Sequence, residues 1–322
     1  MNTSEILQVR VRSVSFEAEG ILSFELVPMP PLRELPAFTA GAHIDLLLPN
    51  GLTRSYSLLN APQERHRYVI GVNKDGASRG GSRFMHETLR AGETLSIHPP
   101  RNNFPLDEGA ARSVFIAGGI GITPMLSMIA RARALGMPWQ LHYAARTRRH
   151  AAFIDLLKDW EHEPEAAVNL VFDQEPGAAM LDIAAIVHDL PEDAHVYCCG
   201  PLPMLDAFER ASARLAPQRV HREYFAAKEA AATGGGFTVE LARSGKCIQV
   251  RPGQTILDSL IDAGVEPPYS CREGVCGTCE VRVLEGVPDH RDLVLSADEQ
   301  AANNRMMVCC SGAKSARLLL DL

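Results

Sequence analysis

The 322-residue sequence predicts a multidomain protein: an antiparallel β region, then a parallel α/β domain, then a small α+β domain. The chain is too long for one ordinary domain. Up to about Leu106, apolar and polar residues alternate in short runs separated by glycine and proline, which indicates an antiparallel sheet or small barrel. From Ser113 onward, buried-strand runs alternate with helical stretches, a pattern typical of a parallel α/β domain.

The C-terminal region begins after a stretch with the composition of a flexible linker, AAKEAAATGGG at 226–236. From Phe237, the last 86 residues return to short strands, with one helix predicted over 255–263. We therefore predict domains at 1–108, 109–228 and 237–322, with 229–236 as the linker.

Composition narrows the class of protein. A hydrophobic content of 46% with 22% charged residues indicates a globular chain rather than a disordered or membrane protein. No apolar run approaches the ~18–20 residues of a transmembrane helix, and the N-terminus lacks the apolar core of a signal peptide, so a cytoplasmic location is expected. The formal charge of −7 argues against nucleic acid or an anionic membrane as the main partner.

The clearest motif is a cluster of cysteines near the C-terminus. Its spacing is Cys271-x4-Cys276-x2-Cys279, followed by 29 residues and Cys309. This is the plant-type ligand pattern of a two-iron, two-sulfur (2Fe-2S) cluster. A structural zinc site is the alternative, but zinc loops usually use paired C-x2-C knuckles and only one such pair is present. Cys310 also competes for the fourth ligand position, although the 29-residue gap favours Cys309.

Two segments of the β region have residues suited to a phosphate and a flat ring. In RSYSL, Arg54 could bind a phosphate, Tyr56 could pack against a flat ring and Ser57 could bond a ring edge. In SRGGSRF, a glycine turn opening a short helix could hold a phosphate through its N–H groups. An ordinary cross-strand pair and a surface turn are the corresponding structural alternatives.

Two strand–turn–helix segments have features of a nucleotide site. FIAGGIGITPML ends a strand in Gly118-Gly119-x-Gly121 and starts a helix at Thr123-Pro124. VYCCGP repeats the arrangement in the next such turn. Both turns follow parallel strands, where ligands bind in open α/β sheets. The G-x-G-x-x-G fingerprint is absent, so a tight turn without a ligand is the alternative.

These four motifs, RSYSL, GGIGITPML, YCCGP and CREGVCGTC, occur in an order that resembles the phthalate dioxygenase reductase family, which includes vanillate demethylase reductases. The resemblance covers essentially the whole chain. It implies a barrel that binds FMN, an α/β domain that binds NADH and a β-grasp ferredoxin domain with a 2Fe-2S cluster. It also implies a separate terminal oxygenase as the electron acceptor. Electrons would pass from NADH to flavin, then singly to the cluster.

The resemblance also assigns residues. The predicted flavin contacts are Arg54, Ser55, Tyr56, Ser57, Gly71, Val72, Asn73, Gly80, Gly81 and Ser82. The predicted nucleotide contacts are Gly119, Gly121, Thr123, Pro124, Arg146, Cys199, Gly200 and Pro201. Phe225 is predicted to shield the flavin face where nicotinamide docks, so Cys199, Phe225 and Thr123 are the residues expected closest to hydride transfer. A packed core position is the alternative for Phe225.

The choice of nucleotide stays open at this point. No acidic residue follows WQLHYAA to hold a ribose diol, and the basic turn with Arg146, Arg148 and Arg149 suits the 2′-phosphate of NADPH. The resemblance favours NADH. Two rival functions are a reductase for another acceptor, such as a haem monooxygenase, and a zinc-stabilised module that binds nucleotide without turnover.

Overall fold

The computed structural model of the chain describes residues 6–76, 80–162 and 166–322. It divides into two compact units, Met1–Phe225 and Ala226–Leu322. Ser78 and Arg79 of the predicted phosphate turn lie outside the described residues. Within the described ranges, no helix is long and apolar enough to cross a membrane.

The first unit begins with an antiparallel sheet that closes into a barrel. Its strands are β1 (Leu7–Ala18), β2 (Ile21–Pro28), β3 (His43–Leu47), β4 (Thr53–Ser57), β5 (Tyr68–Asn73) and β6 (Thr94–Ile97), with the short helix α1 (Gly81–Glu87) after β5. The strand order is β4-β3-β6-β1-β2-β5, and a bridge between Leu58 and Ile70 joins the two edges. Alternate residues of these strands fill the barrel core, as the period-two pattern predicts.

The second part of this unit is a parallel sheet covered by helices. The strands are β7 (Arg112–Gly118), β8 (Trp139–Ala145), β9 (Ala166–Phe172), β10 (Ala194–Cys199) and β11 (Val220–Glu223), and the helices are α2 (Ile122–Leu135), α3 (Ile154–Glu161), α4 (Ile183–His188) and α5 (Leu202–Ser212). The order β11-β10-β7-β8-β9 puts β7 at the centre, beside β10 and β8. Helix α2 ends at Gly136, which adopts the left-handed conformation common after helices. The predicted parallel α/β architecture is confirmed.

One hydrophobic cluster spans the barrel and the parallel sheet. Ala18, Ile21 and Leu59 of the barrel belong to the same buried cluster as Met125 and Met128 of α2. The amide of Gly41 also donates to Ser127 Oγ over 3.0 Å. Because they share a core, the two parts form one unit and hold their facing surfaces in a fixed relation.

The second unit contains a mixed five-stranded sheet, a two-stranded sheet and two short helices. Its strands are β12 (Phe237–Leu241), β13 (Cys247–Val250), β14 (Glu280–Glu285), β15 (Pro288–Asp289), β16 (Arg305–Met307), β17 (Gly312–Ala313) and β18 (Arg317–Leu320), and its helices are α6 (Ile256–Asp262) and α7 (Ala297–Ala301). Thr255 and Asp258 form a reciprocal capping box at the start of α6. The helix predicted over 255–263 is therefore present.

The segment predicted as a linker carries contacts to the second unit. The amide of Ala232 donates to the Cys310 carbonyl over 2.7 Å, and the Glu229 carboxylate lies 2.6 Å from Arg291 Nη1. A Cβ at Gly235 would overlap the backbone of Arg251. The segment therefore contacts the second unit at these points, and its assignment as a linker stays a prediction.

Candidate functional site

Because side chains alternate along β4, those of the RSYSL motif lie on two opposite faces of the strand. Arg54 and Tyr56 share one face of β4, and Ser55 and Ser57 share the other. The Ser55 hydroxyl donates to the buried carboxylate of Asp45 over 2.6 Å, so this side chain braces the barrel. Ser57 is also buried. Of the four flavin contacts predicted in this strand, Arg54 and Tyr56 therefore present their side chains on the face opposite Ser55 and Ser57.

Arg54 lies directly over the glycine turn. A Cβ at Gly81 would approach Arg54 Nε to 2.7 Å, so only glycine leaves room for the guanidinium. Gly80 has a φ of 103°, which L side chains rarely adopt, and α1 begins immediately after it. The first N–H groups of a helix lack intrahelical partners. A guanidinium beside such a turn fits the phosphate of a flavin mononucleotide, and Ser82 Oγ helps hold the turn by accepting the Asp75 amide.

Tyr56 stays a neutral phenol. Burial raises its pKa to about 12, and the nearby Arg54 only partly offsets this. Tyr56 packs against the barrel core and is half-buried. A flat, uncharged surface of this kind suits stacking with an aromatic cofactor.

The second predicted flavin strand, β5, also alternates. Gly71 is buried against the parallel-sheet part of the unit, whereas Val72 points into the barrel core and Asn73 is exposed. The Val72 carbonyl lies 2.9 Å from a ring nitrogen of His86. Val72 is therefore placed in the packing of the barrel, and its side chain faces away from Gly71 and Asn73.

The two predicted nucleotide turns meet backbone to backbone. A Cβ at Gly121 would overlap the Cys199 carbonyl group and lie 2.8 Å from the amide nitrogen of Gly200. A Cβ at Gly118 would lie 2.7 Å from Pro201 Cδ. Gly119 differs, since its φ is 53° and a Cβ there would meet no atom within 4 Å. Gly118 and Gly121 thus permit the close approach, while Gly119 supplies the turn.

Thr123 links this turn to the barrel. Its hydroxyl donates to the Ile120 carbonyl over 2.9 Å, and its methyl would lie 2.8 Å from a Cβ on Gly71. Thr123 and Pro124 are both buried at the start of α2. The predicted flavin strand and the predicted nucleotide turn are therefore in direct contact through Gly71 and Thr123.

The carboxyl end of the sheet contains a buried acid that the sequence analysis missed. Cys199 pairs in register with Glu223 on β11, and Cys199 is fully buried. Although Glu223 as a whole is half-buried, its Oε2 atom is shielded from solvent and has no hydrogen-bond partner among the described residues. Burial raises the Glu223 pKa to about 8. The HREYF sequence does not indicate that Glu223 is buried, because burial at a strand end depends on the neighbouring strand.

The Cys199 thiol is also uncharged. Burial raises its pKa well above the usual value, with smaller contributions from Glu223 and Cys198. A thiolate nucleophile at this position is excluded, since lowered pKa values are what activate cysteines. Cys199 instead contributes a small neutral side chain to the hydrophobic core at the end of β10. Phe225 follows two residues after β11 and is 39% exposed, so its ring is accessible rather than packed in the core.

Other groups engage two of the arginines in the basic turn after β8. The Arg148 guanidinium lies 4.9 Å from the centre of the Phe172 ring. The backbone amide of Arg148 donates to Glu175 Oε1 over 2.8 Å. Arg149 Nη1 lies 3.7 Å from Glu19 Oε1 of the barrel. Arg146 is exposed directly after β8. The turn thus holds two carboxylates beside its arginines.

The second unit brings the cysteines together. Cys271, Cys276, Cys279 and Cys309 are all buried, and the Cys271 thiol interacts with the thiols of Cys276 and Cys309. The Glu273 amide donates to Cys271 Sγ over 3.3 Å. Gly274 and Gly277 have positive φ values, which let the loop turn its N–H groups inward. Three buried thiols on this loop, with Cys309 beside Cys271, fit an iron–sulfur cluster.

Cys310 lies on another side of this loop. Its sulfur sits where a Cβ of Gly274 would be, and it lies 3.8 Å from the Met307 carbonyl. Only Cys309 of the two neighbouring cysteines interacts with the Cys271 thiol. The arrangement therefore supports Cys309 as the fourth ligand, which stays a prediction.

Two family models match separate parts of the chain. Residues 115–210 match the oxidoreductase NAD-binding domain, and residues 239–314 match the 2Fe-2S iron-sulfur cluster binding domain. The iron–sulfur match favours the cluster over the zinc alternative. The predicted nucleotide and ferredoxin regions each include one match.

Full-length similarity extends to proteins with named activities. The chain is 56% identical to phenoxybenzoate dioxygenase subunit beta from Ectopseudomonas oleovorans, over 98% of this chain and 97% of that protein. It is 39% identical to the solved structure of phthalate dioxygenase reductase, described as a modular structure for electron transfer from pyridine nucleotides to a 2Fe-2S centre, with a TM-score of 0.74 and 98% coverage of both chains.

A further solved structure, an intact type IV self-sufficient cytochrome P450 monooxygenase, is 38% identical with a TM-score of 0.86. That match covers 98% of this chain and 41% of the other. The identities and coverage, together with the order of the motifs, confirm the resemblance seen in the sequence. The chain belongs to the phthalate dioxygenase reductase family and is an NAD-binding, 2Fe-2S oxidoreductase.

Proposed function

We propose that this protein takes electrons from NADH and passes them through FMN and a 2Fe-2S cluster to a separate terminal oxygenase. The observation that carries the proposal is the contact between Gly71 of β5 and Thr123 at the start of α2. It sets the strand proposed to line a flavin against the turn proposed to hold a nucleotide. Hydride transfer requires such proximity.

The side chains have binding and shielding roles in this proposal. When bound, FMN accepts a hydride and releases single electrons, chemistry that no side chain here supplies. Arg54 and the turn at Gly80 and Gly81 would hold its phosphate, and Tyr56 would pack on its ring. The glycine turns at the ends of β7 and β10 would hold the dinucleotide. Phe225, accessible at the end of β11, would cover the flavin face and exclude water.

NADH is proposed over NADPH because of the charges in the basic turn. Glu175 bonds the Arg148 amide, and Glu19 faces Arg149. Both carboxylates offset part of the positive charge that would otherwise attract a 2′-phosphate to this turn. FMN is proposed over FAD because the Arg54 guanidinium lies beside the glycine turn, on the same strand face as Tyr56. That placement matches a single phosphate close to the ring.

The test begins with the isolated full-length protein. Chromatography of acid-released flavin should give FMN at one equivalent, and NADH should bleach the visible absorbance without air. Adding a Rieske-type oxygenase and its substrate should then give NADH-dependent product. One equivalent of FAD would refute the flavin assignment. Bleaching by NADPH at equal efficiency would refute the nucleotide assignment.

A haem monooxygenase is the second candidate acceptor. The solved cytochrome P450 monooxygenase contains a region similar to 98% of this chain, which favours this alternative. Reduction of a Rieske oxygenase and of a haem monooxygenase should therefore be compared at equal concentrations. Faster reduction of the haem protein, with product formed only there, would select it over the oxygenase.

A further inference from the structure

The segment that follows β8 is fastened to the barrel at two points. The amide of Glu19 donates to the Arg149 carbonyl over 2.8 Å, beside the contact between their charged groups. Four residues after Arg149, Phe153 packs against Gly71 of β5. We call residues 146–153 the strap. It starts at the carboxyl end of the parallel sheet and reaches the strand proposed to line the flavin.

Phe153 has an unusual backbone for its residue type. Its φ is 62° and its ψ is 21°, the left-handed conformation that glycine and asparagine normally supply. It also occupies the N-cap of α3, where serine, threonine, aspartate or asparagine would bond the first turn, and Phe153 makes no such side-chain bond. Neither the left-handed turn nor the start of the helix favours phenylalanine at this position. Such strain persists where surrounding packing dictates it.

The packing that holds Phe153 lies at the junction of barrel and parallel sheet. The ring is buried, and its Cζ atom would lie 3.4 Å from a Cβ on Gly71. Thr123 Cγ2 would lie at 2.8 Å and Ile120 Cδ1 at 3.5 Å from the same point. Three side chains from the parallel-sheet part thus converge on one glycine of β5. Two come from the nucleotide turn, and the third comes from the strap.

We infer that Phe153 is a positioning residue that sets the spacing between β5 and the start of α2. The inference rests on the proposed function, because that spacing determines how nearly a nicotinamide on the turn approaches a flavin on β5. The left-handed backbone directs the ring into the junction, where it supports Thr123 and Ile120 against Gly71. A small displacement from the reactive geometry slows transfer strongly while leaving binding largely intact.

The first test replaces Phe153 in the full-length holoprotein. Phe153→Gly relieves the backbone strain but removes the ring, and Phe153→Leu keeps an apolar group of shorter reach. Both should slow flavin reduction by saturating NADH at least tenfold, with flavin content retained and the NADH dissociation constant changed less than threefold. Phe208→Leu is the matched control, since Phe208 is buried in α5 away from Gly71. It should lower stability without this loss of rate.

The second test approaches the same contact from the barrel side. Gly71→Ala adds a methyl against Thr123 and Phe153, and should also slow flavin reduction. Because the shorter leucine leaves space into which Thr123 can move away from the added methyl, Gly71→Ala with Phe153→Leu should be faster than the product of the two single effects predicts. Hydrogen exchange of the β5 amides in flavin-free protein should quicken in each single variant and partly recover in the double variant.

The outcomes separate this inference from the proposed function. If NADH does not reduce the wild-type holoprotein, the proposed function fails. If the wild type is reduced and the variants at Phe153 and Gly71 react within twofold of it, only the positioning role fails. Purely multiplicative effects with unchanged β5 exchange would likewise overturn it. If the Phe153 variants do not fold, reduction of Gly71→Ala at the wild-type rate with unchanged β5 exchange overturns it.

Discussion

The cluster loop and the junction between barrel and parallel sheet depend on opposite features, side chains in the loop and the lack of side chains at the junction. The loop from Cys271 to Cys279 presents thiol side chains that would bind iron directly. The junction is shaped by missing side chains, at Gly71, Gly81 and Gly121, each of which leaves room for a neighbour. A site that ligates a metal fails when an atom is removed, whereas a site that cradles a prepared cofactor fails when an atom is added.

The largest effect should come from removing one sulfur. Cys309→Ser should reduce bound iron from about two per chain to near zero, because a 2Fe-2S cluster needs four thiolates. Cys310→Ser is the matched control and should keep the cluster, since Cys310 packs against Gly274 instead. Iron analysis and paramagnetic resonance after reduction would measure both. An intact signal in Cys309→Ser would transfer the ligand role to Cys310.

Separating the two units should leave flavin reduction by NADH in the first unit and abolish electron transfer to an oxygenase. A chain ending at Phe225 should fold, keep FMN and be bleached by NADH, since the barrel and parallel sheet share one core. It should reduce ferricyanide, reduce cytochrome c poorly and fail to drive an oxygenase. The cut belongs at Phe225 rather than near Gly235, because residues 229–236 pack on the second unit.

Two results would contradict this division. Oxygenase turnover by the truncated chain would mean that the cluster is not the exit for electrons. Unfolding of the truncated chain would mean that the first unit depends on the second. The fragment from Ala226 should fold only with its cluster, because a domain of this size has a thin core.

The two sites also differ in how far the sequence could predict them. Three cluster cysteines lie within nine residues, so their spacing alone identified the chemistry. The junction joins Gly71, Thr123, Phe153 and Cys199 from four distant segments, and only their motifs were visible. The sequence did not indicate Phe153 or Glu223, because the environment of each depends on neighbouring segments that are distant in sequence. Ser55 and Val72 were included by motif, although Ser55 bonds Asp45 on the strand face opposite Tyr56 and Val72 packs in the barrel core.

Adding a methyl group to a glycine tests whether the junction depends on the lack of side chains. Gly121→Ala should cost about 3 kcal/mol of folding stability, because the new Cβ meets the backbone of Cys199, which cannot move like a side chain. Gly119→Ala is the matched control. It suffers only the left-handed backbone penalty of about 1–2 kcal/mol, with no steric contact. Urea unfolding gives both values, and equal losses would show that the close approach of the turns does not limit stability.

The buried acid should make stability depend on pH between pH 4.5 and 8. Burial raises the Glu223 pKa from 4.5 to about 8, so between these values the unfolded chain releases a proton that the folded chain keeps. This group's contribution to stability therefore falls as pH rises from 4.5 to 8 and is constant above that. Glu223→Gln should remove this fall, so the variant's relative stability should increase with pH.

Urea unfolding at pH 5, 6.5 and 8.5 would measure the difference between wild type and Glu223→Gln. Glu192→Gln, which removes an exposed carboxyl from the same part of the chain, is the control and should follow the wild-type profile. A constant difference between wild type and Glu223→Gln across this range would mean that Glu223 is ionised in the folded protein. Its unpartnered Oε2 would then need a partner in solution.

The smallest effect should come from removing the sulfur at the junction, in contrast to Cys309. Cys199 is fully buried as a neutral thiol, so it supplies shape and no charge. Cys199→Ala should therefore slow hydride transfer about fivefold, which corresponds to about 1 kcal/mol, with flavin content unchanged. Cys198→Ala is the control, because Cys198 is buried on the opposite face of β10. Stopped-flow reduction by NADH would measure both. Equal rates in Cys199→Ala and wild type would assign Cys199 to packing alone, whereas a loss as complete as that expected for Cys309→Ser would give this thiol a chemical role and end the contrast between the two sites.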